Sequence, residues 1–370
     1  MMLKNLLVTL LILILFYLYS TEKLEANNTG RICTSPAPNH DGKIKILVYY
    51  DMEGISGQND IKSLDLGNPE YEKIRHNLTA DVNAVIKGLF AGGADEVDLV
   101  DAHGSGNQEP DVLLHRLDSR ARHIVRDKWF DPYIDLTEAD IYDAVVAVCM
   151  HSKTGGGGFA AHTYTIGMDW ILNDHSITES DIIAFSWGKV DVPLIFVSGD
   201  NTLKNQLSWM YWLEYVTVKT AKEADDAILH PLAEVHEELC KAAKRALRKL
   251  SKSKAVKLVI PIKAQLRAVY PASLKDLEGV PGINYQNNTV SFIAMDFKEA
   301  YQGIEALIGV ASRGYNRILM KVLRSQKLLD KVWPIFIDEW YKSWMDVESG
   351  RWKPSALKKK KTKNKKYYGF

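Results

Sequence analysis

The sequence predicts an α/β fold: a mainly parallel sheet with flanking helices, joined to a smaller C-terminal α+β part. Three observations carry this. Short β-branched and aromatic runs alternate with stretches of helical periodicity. Each of the early runs stops at polar residues, as buried strands do. Two further apolar runs, at 256–262 and 290–294, come late and are followed by a helical pattern at 297–312. With 370 residues, 46% of them hydrophobic, the chain holds enough apolar material for a large core.

The segments follow in order. Residues 1–26 read as a secretory signal or a membrane anchor: Lys4 precedes a run, 6–18, that is apolar apart from Thr9. That run is short of the roughly 20 residues that span a bilayer comfortably. An exported protein, periplasmic or extracellular, is expected, with the segment either removed or kept. Residues 27–43 are polar and rich in Asn, Gly and Pro, and read as a linker. Residues 44–219 form the predicted metal-binding α/β domain, with strands at 45–50, 97–100, 143–149 and 192–197. Its helix at 71–90 places Ile74, Leu78, Val82, Val85, Ile86 and Leu89 on one face and stops at Gly92-Gly93. Helical patterns are read at 200–215 and 220–250. The C-terminal part covers 220–319, an aromatic-rich helical extension 320–357, and a lysine-rich tail 358–370. Seven lysines fall between 358 and 366; the tail is predicted to be disordered and suited to anionic lipid or cell-wall polymer.

Composition excludes some classes. Lys plus Arg number 47 and Asp plus Glu 46, so no global charge imbalance points to nucleic acid. Three scattered cysteines without a C-x-x-C pair argue against a disulfide framework.

Chemistry concentrates at strand ends. Asp51-Met52-Glu53-Gly54 follows the first strand directly, and in extended chain positions i and i+2 project to one side. Two carboxylates so close raise each other's pKa unless a cation lies between them. Asp101-Ala102-His103 follows the second strand and Met150-His151 the third. In a parallel sheet these ends share one edge, where open α/β sheets build their sites. Imidazole nitrogen with carboxylate oxygen suits Zn2+, although Mn2+ and Co2+ accept the same donors. Next come the glycines 155–158, a loop that is mobile or lets backbone approach a ligand; no P-loop Lys-Ser/Thr accompanies them. His162 is a candidate to shuttle a proton or steady an oxyanion. Glu179, by residue type alone, is an ordinary surface glutamate.

These pieces together resemble the zinc D-aminopeptidase family, peptidase family M55. Its S-x-D-x-E-G opening resembles Tyr49-Tyr50-Asp51-Met52-Glu53-Gly54, and its Asp-Ser-His resembles Asp101-Ala102-His103. Its Gly-Tyr-His, followed eleven residues later by Ser-His-Ser, is similar to Cys149-Met150-His151 and Ala161-His162-Thr163. Asn173-Asp174, Asp191-Val192-Pro193, Gly199-Asp200 and His230-Pro231 also look like the family, and the resemblance runs over 44–314. It implies Asp51, Glu53, His103, His151 and Glu179 as metal ligands, Asp51 bridging two zinc ions per subunit, and His162 as the catalytic histidine. It also implies a ring-like homo-oligomer of stacked pentamers, a decamer. Two departures stand out: Tyr49 replaces the family's serine, and Thr178-Glu179-Ser180-Asp181 replaces its Gly-Glu-Leu-Gly.

The implied activity is zinc-dependent hydrolysis of short peptides, those with N-terminal D-residues, by a hydroxide bridging two metals about 3.5–4 Å apart. Two other classes fit the same residues. One is an exported peptide-binding protein that kept the fold and lost turnover, suggested by the changes at Tyr49 and around Glu179. The other is a metal-dependent phosphoesterase, disfavoured because no Arg or Lys lies in the short motifs.

Overall fold

The structure, a computed structural model, describes residues 32–37, 42–105, 107–126, 130–138 and 142–348. The N-terminal segment 1–26 and the tail 358–370 lie outside the described residues.

The strands, in chain order, are β1 (Ile32–Pro36), β2 (Lys45–Tyr50), β3 (Glu96–Asp101), β4 (Arg122–His123), β5 (Ala144–Met150), β6 (Met168–Leu172), β7 (His175–Ser176), β8 (Leu194–Asp200), β9 (Glu214–Glu223), β10 (Asp226–Leu229), β11 (Lys254–Leu258), β12 (Ile262–Ala268), β13 (Asn284–Gln286) and β14 (Thr289–Ala294). The helices are α1 (Tyr71–Gly92), α2 (Glu179–Gly188), α3 (Asn201–Gln206), α4 (Leu232–Arg248), α5 (Phe297–Ala311), α6 (Arg313–Ser325) and α7 (Leu329–Glu348).

Among the described residues the main sheet runs β10-β9-β8-β5-β2-β3-β4, parallel except for the β9–β10 pair. β2 and β5 sit at its centre. Every residue of β5, and all of β2 but Lys45, is buried, as a sheet covered on both faces requires. Ile46, Val48 and Tyr50 face α1 and α4, whose buried rows include Ile74, Leu78, Val235 and Leu239. Leu47 and Tyr49 face the other way, into a core shared with α2 and the second sheet. That second sheet is antiparallel, in the order β13-β14-β12-β6-β7, and α5 packs on it. The parallel register sets Tyr50 beside Asp101 on one side and Val148 on the other, so the chain leaves β2, β3 and β5 at one edge.

The predicted fold class holds, and α1 ends as expected, with Gly93 left-handed at φ 116. Several boundaries differ. Ile32–Pro36, inside the stretch read as a linker, pairs antiparallel with β11. The helix read over 200–215 is confined to α3, and β9 and β10 occupy part of what was read as helix up to 250. β9 alternates buried Val216 and Val218 with half-buried Tyr215 and Thr217 before buried Lys219 breaks the pattern, a short period-two signal beside a stronger helical one. The boundary placed between 219 and 220 therefore falls inside β9. The single strand read over 256–262 is two, β11 and β12, in different sheets. β6 and β7, from the first predicted domain, belong to the second sheet, so the two parts interleave. The aromatic extension is helical over α6 and α7.

Candidate metal centre

Asp51 leaves β2 with its amide hydrogen-bonded to the Val148 carbonyl, which points its side chain past the sheet edge. Its two oxygens face different histidines: Oδ1 lies 3.1 Å from His103 Nδ1 and Oδ2 3.3 Å from His151 Nε2. Glu53 Oε2 is also 3.1 Å from His103 Nδ1, and Glu179 Oε1 is 3.3 Å from His151 Nε2. The six residues singled out in the sequence therefore meet at one place, His162 among them. His162 stacks on His151 with ring centroids 4.0 Å apart and sets its Nε2 3.9 Å from Glu53 Oε1 and from Glu179 Oε1.

Local chemistry holds each group. Gly54 meets a need for space: a Cβ there would stand 2.0 Å from the Met150 carbonyl oxygen. His103 is fixed by its amide, which donates to Asp101 Oδ1, and buried Asp101 also accepts from the Tyr50 hydroxyl and the Asp111 amide. His151 Nδ1–H donates to the Ser152 carbonyl, which leaves Nε2 directed at Asp51 and Glu179. His162 does the same with the Ala160 carbonyl. Cys149, next to the site, takes φ 64 where the β5–β8 register shifts. The glycine loop is built rather than slack: Gly155 and Gly157 adopt φ 71 and 78, and Gly158 lies against Ser152 and Asp200.

Glu179 is no surface residue. It is the first residue of α2 and buried, and it accepts from the Tyr133 hydroxyl at 2.8 Å and the Tyr164 amide at 2.7 Å. The change to Thr178-x-x-Asp181 forms a capping box for this helix, so the departure from the family spelling keeps the glutamate in place. Tyr49 is likewise remote from the chemistry. Its hydroxyl accepts from Trp187 Nε1 and donates to the Pro132 carbonyl, inside the core.

The electrostatics are those of a cation site. Burial and the charge of Glu53 raise Asp51 above the usual carboxylate range. Burial opposes charge on Glu53 too, but His103 and His151 hold it well below. Glu179, against burial, is drawn down to about 2 by His151 and His162. His103 and His151, although burial works to lower them, are pulled well above 6.5 by the carboxylates. Yet Glu53 Oε2 and His151 Nε2 are buried without a hydrogen-bond partner, despite neighbours at 3.1–3.3 Å. Lone pairs that converge without hydrogen-bond geometry are what metal coordination satisfies. Ligand atoms of Asp51, Glu53 and His103, of Asp51, His151 and Glu179, and of Glu53, His151 and His162 lie within 4.8 Å of one another in each group. The residues present fit divalent-cation coordination, with Asp51 common to two of these groups.

The site opens into a cleft of about 350 Å³, lined by His103, Tyr133, His162, Tyr164, Glu179 and Ile308 among others. Sequence reasoning missed Tyr133 and Tyr164, which carry no spacing signal. It also missed Lys219, fully buried on β9, whose Nζ donates to the Glu53 carbonyl and to Gln58 Oε1. Burial lowers this lysine to about 8. Lys219 falls between the helical patterns read at 200–215 and 220–250, and a lone charged residue there gave no warning of that role.

Comparison with known proteins bears on the family and the fold. The family model Peptidase_M55, described as D-aminopeptidase, matches residues 44–306. A D-aminopeptidase of Bacillus subtilis (strain 168) is 27% identical over 292 residues, 73% of this chain and 98% of that protein. The solved structure of the Zn-dependent D-aminopeptidase DppA from Bacillus subtilis, a self-compartmentalizing protease, shares the fold. It superposes with a TM-score of 0.65 at 23% identity, over 73% of this chain and 98% of that one.

Proposed function

The chain belongs to the M55 D-aminopeptidase family, a family of metallo-aminopeptidases, and from that membership we propose that it hydrolyses short peptides carrying an N-terminal D-residue, using two zinc ions per subunit. One observation carries the reading: Asp51 directs separate oxygens at His103 and His151, while Glu53 Oε2 and His151 Nε2 stay buried without hydrogen bonds. Glu53 and His103 would hold one ion, His151 and Glu179 the other, with Asp51 between them. Bound there, zinc supplies an ionised water near neutral pH and polarises the scissile carbonyl.

The chain's own groups do the rest. Tyr133 is held neutral, because burial and the charges of Glu179 and Asp51 raise it well above 10, so it remains a donor that orients Glu179. His162 Nε2 faces the cleft with its ring fixed by the Ala160 carbonyl and by stacking on His151. It accepts a proton as water adds to the carbonyl carbon and returns one to the departing amine nitrogen as the C–N bond breaks. The cleft of about 350 Å³ suits a short peptide. No lysine or arginine is among the described residues lining it, so a phosphate ester would meet no counter-charge from the chain. A ring-like oligomer and a place outside the cytosol complete the proposal. The first is inherited from the self-compartmentalizing relative, and the second rests on the apolar run at 6–18.

The test is hydrolysis of D-Ala-p-nitroanilide beside the L-isomer by zinc-loaded protein, before and after chelation, with metal analysis of His103→Ala. Preference for the D-isomer, loss on chelation and loss of bound zinc in the variant are expected. Undiminished hydrolysis after metal removal, or none by the loaded enzyme on a peptide library, would sink the reading.

A further inference from the structure

The family match ends at residue 306, and two helices follow it that have no part in the metal centre. On α7, Trp333, Phe336, Trp340 and Trp344 recur at i, i+3, i+7 and i+11, which puts them within about 80° of one another around the helix axis. They are 49%, 52%, 58% and 50% exposed. Lys331, Asp338 and Lys342 lie on the opposite side. Among the described elements α7 packs substantially only on α6. A contiguous row of large aromatics on the surface of a soluble domain marks a binding face.

Charge says what it binds. α6 sets Arg313, Arg317, Lys321 and Arg324, all exposed, along one face. Arg317 and Lys321 line a cleft of about 350 Å³ with Tyr270 and Asn288. Beyond α7 the sequence holds nine Lys and Arg and no acid up to its end. Residues 313–370 thus carry 16 of the 47 basic and 5 of the 46 acidic side chains, a net +11, while residues 1–312 carry −10. The asymmetry is invisible in the total of +1.

We propose that α6 and α7 form a docking element for an anionic lipid bilayer surface. The aromatic row of α7 lies in the headgroup region, where Trp is favoured, and the basic face of α6 meets anionic headgroups; the nine basic residues that follow in the sequence add to the same attraction. No described helix is long and apolar enough to cross a membrane, and α7, with charged residues on its far side, is built to lie in the plane. A second copy of the chain is a poorer occupant, because extensions of +11 repel one another in a symmetric contact.

Vesicle flotation of the full-length, zinc-loaded chain tests this, with phosphatidylcholine alone or mixed with phosphatidylglycerol, at about 0.1 M and about 0.5 M salt. Attachment through residues 6–18 would appear equally on both vesicles, so the readout is the gain from anionic lipid. The wild type is expected to partition at least about tenfold more strongly onto the anionic vesicles, and salt to erase the difference. Two variants should each lose most of that gain with zinc content unchanged: Trp333→Ser with Phe336→Ser and Trp340→Ser, and Arg317→Gln with Lys321→Gln and Arg324→Gln. Equal partition onto both vesicles, or wild-type binding by the basic-face variant, overturns the proposal. So does an aromatic variant that keeps its vesicle binding but shifts the oligomeric state in sedimentation, which would assign the row to contacts between copies. None of these outcomes depends on peptidase activity.

Discussion

Asp51 has one oxygen for each of two histidines, and that division is what the proposed pair of ions would use. The same carboxylates set a proton balance. His103 and His151 are raised well above 6.5, so without metal they are charged at neutral pH. A raised folded pKa stabilises the metal-free fold below about pH 6.5, and the contribution fades as pH rises through the folded values. Zinc takes these rings neutral and must displace their protons. Calorimetric zinc titration at pH 7 in buffers of different ionisation enthalpy should therefore show net proton release. Affinity should fall about tenfold per pH unit for each proton displaced as pH is lowered. A buffer-independent heat would mean that the imidazoles are already neutral. The histidines and the D-x-E pair were legible because imidazole and carboxylate just past strand ends are an uncommon coincidence. Glu179 was legible only through family resemblance, since a glutamate at a helix start is ordinary.

At the scale of elements, the site depends on how closely three chain exits approach one another. Gly54 after β2 and Gly199 in β8 both lie on the Met150 carbonyl, where added Cβ atoms would stand at 2.0 and 2.3 Å. Gly54 also donates its amide to the Cys149 carbonyl. Gly54→Ala should cost about 3 kcal/mol by overpacking, read by urea unfolding. It should also weaken zinc binding, because Asp51 and Glu53 flank the displaced backbone. Wild-type stability in this variant would show that the turn relaxes freely. Strand β9 was hidden from sequence because a short alternation of Val216 and Val218 adjoined the strong helical period of α4. Its misreading also concealed Lys219, whose buried ammonium holds the Glu53 carbonyl.

Across the whole molecule, the proposed metal would join parts of the chain that are distant in sequence: the ends of β2, β3 and β5, the loop carrying His162, and the start of α2. A ligand held by the native state alone stabilises it by about 4 kcal/mol at a thousandfold excess over Kd. At about 2–4 °C per kcal/mol for domains of such size, chelation should lower Tm by roughly ten degrees in calorimetry. An unchanged Tm would place the ions elsewhere or nowhere. The sequence by itself determined the α/β class, the strand-end cluster Asp51, Glu53, His103 and His151, and the charge-rich C-terminus, because periodicity and residue chemistry are local properties. Only the tertiary structure decided that Tyr133 and Lys219 support the cluster and that the two sheets interleave; the family resemblance had already implied Glu179 and His162. The tertiary outcomes are set by register and by packing between segments far apart in the chain, Tyr133 against Glu179 and Lys219 against Glu53, which no local pattern encodes.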